Sequence, residues 1–78
     1  MAKFELVRFT DPNDGEVTYA QFADDRQQVA VYTSKTFAFE QFGEELHFDS
    51  VSYVLLSGGE YADAVQAALD EGEVIKTA

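Results

Sequence analysis

The chain has 78 residues, no cysteine, and fifteen Asp and Glu against five Lys and Arg, for a formal net charge of -10. Those figures exclude a disulfide framework, a thiolate metal site and a cysteine nucleophile. They also argue against direct contact with nucleic acid or an anionic membrane, both polyanions.

Hydrophobic content of 46%, with seven Phe and four Tyr, is too rich for a disordered acidic tail. One compact domain over residues 1–78 is therefore expected. The opening Met1-Ala2-Lys3-Phe4-Glu5 lacks the basic start and apolar run of a signal peptide. The longest apolar run, Tyr53-Val54-Leu55-Leu56, falls far short of the ~20 residues of a membrane span. Lys76-Thr77-Ala78 carries no lipidation or retention motif. A soluble cytoplasmic protein is the expectation.

Phe4 to Thr10 is rich in Phe, Leu, Val and Thr and is predicted to be a strand. Asp11-Pro12-Asn13-Asp14-Gly15 is a run of turn formers: Pro12 presets φ, Asn13 and Asp14 bond local backbone, and Gly15 accepts positive φ. Val17 to Phe22 is predicted as the second strand of a β-hairpin. Asp24 to Gln27 makes a polar break before a third strand, Val29 to Thr33, antiparallel to the second because the connection is short.

Residues 34–48 read two ways. Ser34 can cap a short helix ending before Gly43, whereas Phe37 and Phe39 alternate with Ala38 and Glu40 as in a strand. A short helix or irregular turn is the preferred reading. Val51 to Ser57 is predicted to be a strand, and Ser57 and Glu60 have capping-box spacing. In the helix expected over 60–71, Tyr61, Ala64, Val65, Ala68 and Leu69 form one apolar stripe, with Asp63, Gln66 and Asp70 opposite. Gly72 stands at its C-terminal cap, and Glu73 to Lys76 can return as a short edge strand. The fold class expected is α+β: a small antiparallel sheet, opened by the hairpin and extended by two or three further strands, with one C-terminal amphipathic helix packed on one face.

Catalytic chemistry finds little footing. His47 is the only histidine, and Glu45 and Asp49 beside it make a weak metal set. Ser50, His47 and Asp49 lack a nucleophile-elbow context, and adjacent strand residues point to opposite faces. Asp11-Asn13-Asp14-Gly15 has its glycine one residue early for an EF-hand loop, and Phe22 where the terminal glutamate belongs. Ser57-Gly58-Gly59 has the shape of a phosphate-binding helix start, but Glu60 follows and no lysine is near. The adjacent Glu44 and Glu45 rarely converge on one substrate. No enzyme activity, cofactor or metal is expected.

Charge is the informative feature. Residues 1–35 hold six acids and four bases; residues 36–75 hold nine acids and no Lys or Arg. Rigid carboxylates without neighbouring bases steer a basic partner strongly at low salt. Asp63, Asp70 and Glu71 on the helix, with Glu40, Glu44 and Glu45 before it, are the candidate contacts. In size, acidity and lack of catalytic groups the chain resembles phage counter-defence proteins, anti-CRISPRs and DNA-mimic inhibitors of restriction or repair enzymes among them. That resemblance implies a non-enzymatic inhibitor occupying a basic nucleic-acid-binding surface on a host protein. The alternatives are a small acidic interaction or assembly module, including a homodimer, and a salt-adapted domain whose charge only solubilises.

Overall fold

The hairpin follows from its turn chemistry. The structure, a computed structural model, describes residues 4–23, 26–32, 34–43, 49–50 and 61–78. Strands β1 (Phe4–Thr10) and β2 (Val17–Ala23) pair antiparallel from Phe4↔Ala23 to Thr10↔Val17. At the turn, Asp11 N–H donates to the Glu16 carbonyl and Gly15 N–H to the Asp11 carbonyl, both at 2.8 Å. The Asp11 and Asp14 carboxylates accept from the N–H groups of Asn13 and Glu16. Gly15 takes φ +73°, the left-handed conformation that glycine enters at least cost.

Strand β3 (Gln28–Tyr32) pairs antiparallel with β2, from Tyr19↔Tyr32 to Ala23↔Gln28, as the short connection requires. Helix α1 (Lys35–Gln41) resolves the ambiguous segment as a helix as far as Gln41, with Ser34 Oγ accepting from Phe37 N–H. Strand β4 (Asp49–Ser50) pairs with β3. Helix α2 (Ala62–Glu71) has Tyr61 at its N-cap without a side-chain cap bond. It leads into β5 (Glu73–Thr77), which pairs antiparallel with β1. The predicted 51–57 strand and the Ser57–Glu60 capping box lie outside the described residues. Among those described, the sheet is antiparallel with five strands ordered β4-β3-β2-β1-β5, so the expected return edge strand is present.

Strand alternation separates two cores. On one face, Val7, Phe9, Ala20, Phe22 and Val29 meet Ala64, Val65 and Ala68 of α2. Two small alanines on that stripe let the helix axis approach the sheet closely, and burying Val65 alone contributes ~1.5–3 kcal/mol. On the other face, Leu6, Tyr19 and Tyr32 meet Ala38 of α1, with Phe42 and Ile75 at the margin. The C-terminal helix thus packs on one face, as its periodicity predicts, and a second, shorter helix covers the opposite face.

Gln21 is the polar exception. It is fully buried on the α1 face, its Oε1 accepts from the Tyr32 hydroxyl at 2.8 Å, and its Nε2 has no partner among the described residues. A register shift between Leu6 and Val7 marks a bulge in the β1–β5 pairing. It brings Ile75 and Lys76 together on the α1 face, which explains why Lys76 reaches the α1 aromatics despite following Ile75 directly.

No helix among the described residues is long and apolar enough to cross a membrane.

Candidate functional site

Helix α2 presents its polar residues because its apolar stripe is committed to the sheet. Asp63, Gln66, Asp70 and Glu71 are all exposed while Ala64, Val65 and Ala68 are buried. At ~1.5 Å per residue, Asp63 and Asp70 stand about 10 Å apart along the axis. Gln66 Nε2 donates to Asp70 Oδ1 at 2.9 Å, which fixes the orientation of that carboxylate. The helix contains no Lys or Arg.

The two ends of α2 differ electrostatically. Asp63 lies in the first turn, where the helix dipole favours a negative charge. Asp70 and Glu71 lie in the last turn, where it opposes one, and no basic residue accompanies them. A helix selected for stability alone would carry a cation there.

The other predicted contacts do not join this face. Glu40 is exposed on α1, across the sheet from α2. Glu44 and Glu45 lie outside the described residues. Glu73 belongs to the base-free run in sequence yet meets Arg8 of β1 at 2.7 Å. Both side chains are largely exposed, so the pair contributes at most ~1 kcal/mol, but it cancels charge at that point. Glu5 is paired likewise with Arg26 at 3.1 Å, and the Arg26 guanidinium lies 5.3 Å from the Phe22 ring centre.

Charge counting along the chain missed a cationic aromatic patch on the α1 face. Lys35 Nζ lies 5.9 Å from the Phe39 ring centre, and Lys76 Nζ lies 6.0 Å from Phe39 and 5.9 Å from Phe42. Phe37 packs edge-on against Tyr32 and Phe39 tilts against Tyr19, yet the two remain 52% and 38% exposed. The run of Phe after Lys35 was visible in the sequence. That Lys76 would close on it was not, because its side of the sheet depends on the bulge in the β1–β5 pairing.

An open groove of ≈ 430 Å³ lies at the hairpin end of the sheet, lined by Asp11, Asp14, Glu16, Thr18, Tyr32 and Tyr61 among others. Thr18 Oγ1 donates to the Tyr32 carbonyl there. The Asp11 and Asp14 carboxylates already hold the turn, and Tyr61 stands at the rim, 45% exposed. Among the described residues no three His, Asp or Glu are grouped to hold a metal ion. His47 lies outside them.

No family model, curated protein or solved structure matches the chain. What the α2 face can do chemically follows from its geometry. Carboxylates on a packed helix offer a fixed negative potential to a basic surface.

Proposed function

We propose that this protein is a non-enzymatic acidic inhibitor that occupies a basic nucleic-acid-binding surface on another protein, with the α2 face as its contact. The observation that carries the reading is the last turn of α2, where Asp70 and Glu71 sit against the helix dipole with no basic residue beside them. Charge retained at a stability cost has its simplest explanation in binding. Like charges held on one rigid helix face support mimicry of a phosphate backbone, and Tyr61, 45% exposed at the start of α2, offers a ring that can stand in for a base. A target among restriction, repair or CRISPR machinery fits this chemistry, and phage or another mobile element is the source such a protein implies. Its place of action would be the host cytoplasm.

The test uses two proteins, the native chain and the triple variant Asp63→Lys, Asp70→Lys, Glu71→Lys. Each is immobilised for capture from a cell lysate at low and moderate salt, and captured proteins are assayed for DNA or RNA binding with and without the free chain. The native chain is expected to displace the nucleic acid, more weakly as salt rises. The triple variant is expected to fold normally and to lose competition. Full competition by the triple variant would refute the assignment of the α2 face.

A further inference from the structure

Helix α1 leaves aromatic surface uncovered on a molecule that is otherwise strongly acidic. Phe37 and Phe39 remain half exposed, with Phe42 partly buried beside them. Three of the four described Lys and Arg share this side: Arg8 and Lys76 project from the sheet here, and Lys35 from the helix. The described acids on the same side are Glu40 and Glu73, the latter already paired with Arg8. The α2 side has Asp63, Asp70 and Glu71, and the remaining described base, Arg26, is paired with Glu5. Among the described residues, bases thus outnumber acids on the α1 side and acids outnumber bases on the α2 side, with Asp11, Asp14 and Glu16 at the hairpin end.

That polarity decides which face can meet its own copy. A two-fold contact places the same patch on both sides, so the patch must be complementary to itself. The α2 face, acidic throughout, repels its copy. The α1 face carries both signs around apolar rings, and aromatic residues with a mixed rim are the usual make-up of homodimer interfaces. We propose that the α1 face, centred on Phe37 and Phe39 with Lys35, Lys76 and Glu40 around them, is the interface of a two-fold homodimer of this chain. A standard interface takes ~800 Å² from each partner, a modest share of the 4949 Å² surface of this chain. Dimerisation here covers the exposed rings and leaves both α2 helices facing outward, so it is independent of whether the α2 face binds a basic partner.

Sedimentation equilibrium on the native chain tests the interface, from micromolar to millimolar protein at physiological salt. A mass rising to twice that of the chain is expected. Phe37→Ser should weaken dimerisation by about tenfold or more, the loss typical of a central aromatic contact. Lys35→Glu with Lys76→Glu leaves the rings and core in place and should give a monomer with native far-UV circular dichroism. The triple lysine variant of α2 should dimerise at least as tightly as the native chain. A native chain that stays monomeric at millimolar concentration overturns the proposal. So does a species larger than a dimer, a Lys35/Lys76 variant that dimerises normally, or an α2 variant that does not dimerise.

Discussion

Two glycines show how one residue type serves different physical ends. Gly15 has φ +73°, and a Cβ there would meet nothing within 4 Å, so its requirement is conformational. Gly72 has φ -66°, open to any residue, but a Cβ there would stand 2.3 Å from the Ala68 carbonyl oxygen and 2.3 Å from Val7 Cγ1. Its N–H still donates to the Ala68 carbonyl at 3.1 Å, so it does cap α2, at the position its sequence spacing indicates. What the sequence hid is the reason: helix end and β1 approach each other too closely for a side chain, a fact of packing rather than of local conformation. Gly15→Ala is accordingly expected to cost ~1–2 kcal/mol, the left-handed penalty of an ordinary residue. Gly72→Ala should cost more, at or beyond the ~1–3 kcal/mol typical of overpacking, because backbone on one side cannot yield. Urea denaturation of both variants decides the order. Gly15→Ala emerging as the less stable would show that the β1–α2 approach is looser than the structure has it.

Among the elements, legibility tracked how much of the pattern is local. α2 was readable because Ala64, Val65, Ala68 and Leu69 fit one helical face, whereas Tyr61, assigned to the same stripe, is instead the N-cap and 45% exposed. The hairpin was readable because its turn residues each carry a conformational preference. α1 was ambiguous because seven residues hold fewer than two full turns of period, and Phe37 and Phe39 alternate as in a strand. Both aromatics find partners in the helix, Tyr32 for Phe37 and Tyr19 for Phe39, so tertiary packing rather than periodicity settles the matter. The last turn of α2 carries a prediction at this scale. Replacing Asp70 and Glu71 with lysine reverses two unfavourable dipole interactions, each worth ~0.3–1 kcal/mol, against the loss of one exposed hydrogen bond from Gln66. The double variant should unfold at a higher temperature, by roughly 4–8 °C per kcal/mol gained in a domain of this size. A lowered midpoint would mean the acids are not in conflict with the helix, and their retention would no longer point to binding.

At the scale of the whole molecule, the base-free run of residues 36–75 is a fact of sequence that folding partly undoes. Arg8 crosses 65 positions to meet Glu73, and Lys76 comes to lie over Phe39 and Phe42 of α1. No count along the chain could anticipate that, since strand order and a bulge decide which side each base joins. What survives is an acidic side built on α2, and its self-repulsion should be visible in solution. The Debye length is ~10 Å at 0.1 M salt and ~30 Å at 0.01 M, so carboxylates about 10 Å apart repel freely in dilute buffer and are substantially screened at moderate salt. Raising salt from the lower to the higher value should therefore stabilise the native chain, by an amount on the order of 1 kcal/mol or ~4–8 °C in thermal midpoint. The neutral triple variant Asp63→Asn, Asp70→Asn, Glu71→Gln should show a clearly smaller rise, because the repulsion it removes is the one salt would have screened. Equal salt responses in the two proteins would place the repulsion elsewhere on the surface. A native chain unfolded in dilute buffer and recovered only in molar salt would instead mark the charge as a salt adaptation spread over the entire molecule. Two thermal melts at two salt concentrations thus separate a localised acidic face from a global one, with no partner protein in the cell.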